Sequence, residues 1–428
     1  MRYVVPKAKA FHKEITVPGD KSISHRAVMF SALAKGITEI TGLSLGLDVK
    51  STINCLRQMS VSINFENGIA KVYGRGHLGL KKPQVVLDAG NSGTTIRLLS
   101  GILAGQKFSS TISGDESLRR RPMKRIIEPL RKMGAEIQST QDEYAPLTIQ
   151  GAVLNAWDHR LNVASAQVKS CLLLAGMYAR GTTSITEPVK SRDHTERMLS
   201  ALGAGIGIND NTVTIEGFPL LQALSMHVPG DISSAAFFMV AATLIPNSDL
   251  IIKNVGINPT RSGLIDILRS MGASIEYDQI RVINYEPFCD VKIKSAELTG
   301  ASITRDMIPR LIDELPILAV AATQARSETI IRDAKELRYK ESDRIQAIVR
   351  NLRKMGGTVE ELPDGMIIPG NQQLQGAALD SYGDHRIAMA FAVLGTILPG
   401  ETVIENAECV EISYPGFFIQ LEDLCRGW

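Results

Sequence analysis

Charged and hydroxyl side chains recur in this chain where an apolar, helix-like run begins. In Pro18-Gly-Asp-Lys-Ser-Ile-Ser-His-Arg26, Lys21, Ser22 and Arg26 open such a run. Asp20 or Ser22 can cap it, and Ser22 and Arg26, four apart, share a face. Ile23, Ala27, Phe30 and Ala34 are expected as its apolar stripe. Gly90-Asn-Ser-Gly-Thr-Thr-Ile-Arg97 opens a second run, and Gly93 there lets a ligand approach the backbone. Ser165 and Gln167 open a third in Ala164-Ser-Ala-Gln-Val-Lys169, Asp313 a further one in Ile312-Asp-Glu-Leu-Pro316, and His385 and Arg386 another in Gly383-Asp-His-Arg386. Other helix starts carry Arg121 (Arg119-Arg-Arg-Pro122), Arg192 (Ser191-Arg-Asp193), and Lys340, Glu341 and Arg344 (Tyr339-Lys-Glu-Ser-Asp-Arg344). A helix N-terminus favours a nearby anion by roughly 0.3–1 kcal/mol, and lysine and arginine add full charges. The chemistry so assembled is recognition of phosphates and carboxylates. Asp313, Glu341 and His385 are the candidate proton carriers. A carboxylate among cations stays ionised and can accept a proton from a hydroxyl. At any single start the alternative is ordinary helix capping.

The elements that must hold these residues are written as a repeat. The pattern Leu-x-x-Met/Leu appears at Leu56–Met59, Leu130–Met133, Leu199–Leu202, Leu268–Met271, Leu352–Met355 and Leu421–Leu424. Its period of roughly 70 residues is too long for common solenoids and suits a compact module of two helices and several strands. Gly134, Gly203, Gly272 and Gly356 follow four of the copies as helix stops. Val17-Pro-Gly-Asp20 returns as Val228-Pro-Gly-Asp231. Three modules are therefore followed by three more. The division predicted is 18–227 for one lobe and 1–17 plus 228–428 for the other, with the first strand pairing with the second half. Residues needed for packing should recur across modules, whereas a charge present in one module points to a ligand.

Composition narrows the class. The 428 residues carry 47 basic and 45 acidic side chains, a net charge of +2, which argues against coating nucleic acid or an anionic membrane. No apolar run approaches the roughly 18 residues of a membrane span, and the N-terminal stretch is too charged for a secretory signal. Five scattered cysteines without a CxxC point to a reducing cytoplasm rather than disulfides or a zinc ribbon. The histidines show no HxxxH or HExxH, so no metal is expected. Gly74-Arg-Gly-His-Leu-Gly79 is followed by Leu-Lys-Lys-Pro, which opens no helix, so it is no dinucleotide fingerprint. Arg192-Asp-His-Thr-Glu196 reads as a charge ladder on a helix surface, with only Arg192 placed to serve a ligand.

Taken together, PGDKSISHR (18–26), GNSGTTIR (90–97), RRRPM (119–123), SAQVK (165–169), IDELP (312–316), YKESDR (339–344) and GDHRIAM (383–389) resemble the EPSP synthase family, 3-phosphoshikimate 1-carboxyvinyltransferase, over essentially the whole chain. RDHTE (192–196) and NPTR (258–261) are similar to its class II branch. The resemblance implies an α/β, two-lobed enolpyruvyl transferase fold. Each lobe would hold three βαβαββ units with pseudo-threefold symmetry, and the active site would lie in a cleft that closes on substrate. It implies transfer of the enolpyruvyl group of phosphoenolpyruvate to the 5-hydroxyl of shikimate 3-phosphate, through a tetrahedral intermediate and without a cofactor. Lys21, Ser22, Arg26, Ser165, Gln167, Arg192, Asp313 and Lys340 would hold shikimate 3-phosphate. Lys21, Gly93, Arg121, Gln167, Arg344 and Arg386 would hold phosphoenolpyruvate. Asp313 would take the hydroxyl proton, and Glu341, with Lys21 or His385, would handle the methylene proton. A cytoplasmic monomer without nucleic-acid or membrane partners is expected. Gly93 stands where some glyphosate-tolerant members carry alanine, so tolerance is not implied. Ile412-Ser-Tyr-Pro415 lacks the lysine that class I members carry, so no contact to phosphoenolpyruvate is implied there. The related UDP-N-acetylglucosamine enolpyruvyl transferase has a reactive cysteine in the loop matching Ser113–Arg121, and this chain has none there. A non-catalytic anion-binding protein is the other alternative.

Overall fold

The computed structural model describes residues 1–426. It divides into two compact units. One comprises Gly19–Val228 with Val282–Glu286, the other Met1–Pro18, Pro229–Arg281 and the chain from Pro287 onward.

The Gly19–Val228 unit is built three times from one plan. In its second copy, strand Leu87–Asp88 leads through helix Gly93–Ala104 to strand Ser109–Ser113, parallel to the first. Helix Lys124–Lys132 then leads to the hairpin Glu136–Thr140 and Tyr144–Gln150, whose second strand pairs antiparallel with Ser109–Ile112. The third copy repeats this from Asp158 to Glu216 around helices Ala166–Gly176 and His194–Ala201. The first copy, with helices Lys21–Leu33 and Leu47–Gln58, borrows its opening strand from the end of the unit: Met226–His227 pairs parallel with Ile40–Thr41.

The second unit follows the same plan. His12–Thr16 supplies the opening strand of its first copy, parallel to Asp249–Lys253, with helices Ile232–Leu244 and Gly263–Ser270. The next copy carries helices Leu315–Gln324 and Arg344–Lys354. In the last copy, with helices His385–Ile397 and Phe417–Cys425, no hairpin follows the second helix among the described residues. Tyr3–Val4 fills that position, antiparallel to Val403–Ile404. A division at residue 228 does not show that Val282–Glu286 groups with Gly19–Val228. The reason is polar: Asn284 Nδ2 donates to Ser225 O at 3.3 Å, Arg197 to Tyr285 O at 2.7 Å, and Glu286 meets His194 Nδ1 at 2.7 Å.

In each unit the first helix of every copy runs inside and the second outside. The inner helices are buried all round. The expected stripe on Lys21–Leu33 is therefore too narrow, because every residue from Ile23 to Leu33 is buried, Ser24, His25, Arg26 and Ser31 included. The Leu-x-x-Met signature is the buried face of the outer helices, and all twelve of its end residues lie in the core. The arginine after the leucine clamps the helix to the following strand. Arg57, Arg131, Arg269 and Arg353 each donate to the carbonyl six residues on, at 2.6, 2.5, 3.0 and 3.1 Å. Recurrence here marks packing. The glycine stops have φ between +82° and +104°, where a Cβ would collide with the following carbonyl.

Candidate active site

In the Gly19–Val228 unit the inner helices begin close together. Asp20 caps the first, accepting from Ile23 N at 2.8 Å. Lys21 opens that helix and its Nζ pairs with Asp48 Oδ2 at 3.0 Å. One turn on, Arg26 donates Nη1 to Ser22 O at 3.0 Å, Nε to Thr195 Oγ1 at 2.7 Å and Nη2 to Ser170 Oγ at 2.7 Å. Burial pushes Arg26 down to about 10, and the charge of Arg192 adds to this, while Glu196, Asp20 and Glu286 oppose it. Next to this lies the start of helix Gly93–Ala104, capped by Ser92. Thr95 Oγ1 there meets Thr52 Oγ1 at 2.7 Å, and Thr52 meets His25 Nδ1 at 2.7 Å, so hydroxyls tie this helix to the first one. Gln167, in the first turn of the third inner helix, donates to Thr94 Oγ1 at 3.0 Å and accepts from Arg97 Nη1 at 2.7 Å. Ser165 caps that helix. Gly93 makes room for guanidinium groups: a Cβ there would stand 2.7 Å from Arg97 Nη1 and 3.5 Å from Arg121 Nη1.

Arg121 is the most informative of these residues. It is 8% exposed. Its acceptors are all neutral: Asn91 O at 3.2 Å, Asn91 Oδ1 at 2.5 Å and Ser117 Oγ at 3.2 Å. Its buried Nε has no acceptor among the described residues. A buried guanidinium without a carboxylate is costly unless an anion completes it.

One reading of this unit is corrected, and one residue departs from the recurrence rule. Arg192–Glu196 is no surface ladder, because Asp193, His194, Thr195 and Glu196 are all buried. Their helix packs on the inner ones, which turns its polar residues inward as partners for Arg26 and Lys169. Lys169 belongs to one copy alone, yet it is no free charge at a helix start. Its Nζ lies 2.6 Å from Glu187 Oε2 and 2.7 Å from Glu196 Oε1, with all three side chains about 1% exposed.

In the second unit the starts of the inner helices are also linked. Asp313 is held by Lys340 Nζ at 3.2 Å and Arg344 Nη1 at 3.3 Å, both on Oδ1, with Arg386 Nη2 3.9 Å from Oδ2. Arg386 Nη1 donates to Asp313 O at 2.9 Å and lies 3.7 Å from Glu314 Oε1. Glu314 also accepts from Ser233 Oγ, at the start of helix Ile232–Leu244. Arg344 is buried between carboxylates: Nε donates to Asp384 Oδ2 at 2.8 Å and Nη2 to Glu341 Oε2 at 2.6 Å. Burial alone would lower its pKa, but Asp384, Glu341 and Asp313 outweigh this and hold it above the ordinary arginine value. His385 is buried at the start of its helix, beside the capping Asp384.

The structure thus groups Lys21, Ser22, Arg26 and Arg192, and likewise Gly93, Arg121, Ser165 and Gln167, in one unit. Asp313, Lys340, Glu341, Arg344, His385 and Arg386 are grouped in the other. The sequence reading passed over Asp48, Asn91, Arg97, Ser170, Thr195, Glu314 and Asp384 as site residues. Asp384 shares its capping position with Asp20 and Asp231, a pattern visible in the sequence. Asp48 and Ser170 carry no such signal.

A family model for EPSP synthase (3-phosphoshikimate 1-carboxyvinyltransferase) matches residues 5–421. The 3-phosphoshikimate 1-carboxyvinyltransferase of Desulforamulus reducens is 53% identical over 426 residues, 99% of each chain. That of Brevibacillus brevis is 52% identical over 414 residues, 96% of this chain and 97% of its own. A solved EPSP synthase from Acinetobacter baumannii matches with a TM-score of 0.88 at 44% identity, covering 99% of this chain and 98% of that one.

Proposed function

The chain belongs to the EPSP synthase family, and we propose from that premise how its two polar clusters divide the work of one reaction. The reaction transfers the enolpyruvyl group of phosphoenolpyruvate to the 5-hydroxyl of shikimate 3-phosphate and releases phosphate, a step of aromatic amino acid biosynthesis. Lys21, Ser22, Arg26, Ser165, Gln167 and Arg192 hold shikimate 3-phosphate from one unit, and Asp313 and Lys340 from the other. Lys21, Gly93, Arg121 and Gln167 hold phosphoenolpyruvate, together with Arg344 and Arg386.

Asp313 accepts the 5-hydroxyl proton. The cations within 4 Å of its carboxylate oxygens favour the ionised form that a base requires. The freed oxygen bonds to C2 of phosphoenolpyruvate while the methylene carbon takes a proton handled by Glu341 and supplied by Lys21 or His385. The tetrahedral adduct then breaks the bond between C2 and the phosphate oxygen, and phosphate leaves with the proton that Asp313 took from the 5-hydroxyl. The methyl group returns a proton and the double bond reforms, so no covalent enzyme nucleophile takes part. Arg121, a buried cation with neutral partners, carries the reading, because it asks for an anionic ligand. Action as a cytoplasmic monomer belongs to the same proposal. It is supported by the five unpaired, buried cysteines and by a separate core in each unit. No described helix is long and apolar enough to cross a membrane.

The test is phosphate release from phosphoenolpyruvate by the purified protein, which should require shikimate 3-phosphate. Asp313→Asn should lower kcat by about 10²–10⁴ with a smaller change in KM. Binding of both ligands without phosphate release would leave only an anion-binding protein.

A further inference from the structure

Arg26 is 3% exposed and makes no ion pair among the described residues. Of its five N–H donors, three are used, on Ser22 O, Thr195 Oγ1 and Ser170 Oγ. The two hydroxyls also bond to each other at 2.6 Å. Together they occupy Nε and Nη2, one whole edge of the guanidinium, and leave one hydrogen on each of Nη1 and Nη2. An arginine so clamped on one edge presents its remaining donors in a fixed direction.

The clamp is itself held. Thr195 and Glu196 are consecutive on helix His194–Ala201, and Lys169 and Ser170 are consecutive on helix Ala166–Gly176. Thr195 meets Ser170 and Glu196 meets Lys169 at 2.7 Å, two rungs joining the helices. Glu187 fastens Lys169 from the other side at 2.6 Å. Both carboxylates are thus taken by Lys169, and Arg26 is bonded to hydroxyls instead.

We propose that Thr195 and Ser170 are positioning residues that aim the guanidinium of Arg26 at shikimate 3-phosphate. This rests on the assignment of Arg26 to that substrate made above. Neither hydroxyl touches the substrate. Each acts by accepting from Arg26, so its loss acts on one substrate and spares the other.

The experiment measures the Kd of shikimate 3-phosphate by calorimetry, and the KM of each substrate, in Thr195→Val, Thr195→Ser, Ser170→Ala, Arg26→Lys and the double variant Arg26→Lys/Thr195→Val. Thr195→Val keeps the shape and removes the acceptor. It should weaken shikimate 3-phosphate binding about tenfold, the scale of one hydrogen bond to a charged group, and leave the KM of phosphoenolpyruvate within about twofold. Thr195→Ser should restore binding, and Ser170→Ala should act in the same direction as Thr195→Val. In the Arg26→Lys background Thr195→Val should add nothing, because lysine has no planar edge to clamp. If Thr195→Val binds shikimate 3-phosphate like the parent, or weakens both substrates alike, the proposal is overturned. If Thr195→Val does not fold, Ser170→Ala decides by the same criteria. If the unaltered protein binds no shikimate 3-phosphate, the reading of the whole site fails, a distinct result.

Discussion

Lys169 and Lys21 both sit near the start of an inner helix, and their surroundings differ: Lys21 is partly exposed and pairs with one carboxylate, whereas Lys169 is buried between two. Lys169→Met removes an ammonium that lies within 2.7 Å of two carboxylates, with all three groups almost wholly buried. Methionine fills the volume of the stem, so the packing loss is small and the effect is electrostatic. Two carboxylates about 5 Å apart repel by about 3 kcal/mol at an effective dielectric constant near 20. Breaking a buried pair from one side costs about 3–5 kcal/mol, so the two routes agree. Burial already raises the carboxyl of Glu196 above its ordinary range, with Lys169 opposing, and the variant removes that opposition. A carboxyl whose folded pKa lies above its unfolded value favours the fold at low pH and loses that contribution as pH rises through the folded value. The loss should therefore be about 3–5 kcal/mol near pH 8 and shrink towards pH 5. Urea titrations of parent and variant at both pH values measure it, following the transition of the Gly19–Val228 unit with the slope compared as well as the midpoint. A loss below about 1 kcal/mol at pH 8, or one that grows on acidification, would refute the buried-triad account.

Two further expectations separate binding from stability. Lys21→Met should lower kcat/KM by at least about a hundredfold in the phosphate-release assay. Because Lys21 is only 17% exposed and pairs with Asp48, it should also lose about 1–2 kcal/mol in thermal or urea unfolding. Gly93→Ala brings a Cβ to 2.7 Å from Arg97 Nη1, the far end of a flexible side chain that can swing away, and to 3.5 Å from Arg121 Nη1. The KM of phosphoenolpyruvate should rise severalfold while that of shikimate 3-phosphate holds. An equal rise in both would contradict the placement of Arg121.

Recurrence separated packing from chemistry well where the recurring residue acts on its own module. Arg57, Arg131, Arg269 and Arg353 recur because each reaches a carbonyl six residues away. The rule failed at Lys169, unique among the modules yet structural, because its partners Glu187 and Glu196 are also unique. Arg192–Glu196 was misread for a related reason. Charge alternating along a short helix looks solvated until another helix covers it, and Thr195 is covered by Arg26, 169 residues earlier in the chain. Arg344 carries cationic charge in the sequence but is surrounded by carboxylates 40, 31 and 3 residues away.

The order of residues alone determined the period, the cap at five of the six inner helix starts and the stock of cations, hydroxyls and carboxylates gathered there. These follow from interactions across a few residues: a helix turn, a cap, a glycine stop. Only folding decided which charge meets which. An ammonium or guanidinium acts through its nearest few ångströms, and those are filled by segments distant in sequence. Arg121 therefore keeps neutral neighbours and needs an anion, while Lys169 meets two carboxylates and needs none. Nothing local in either stretch of chain distinguishes the two.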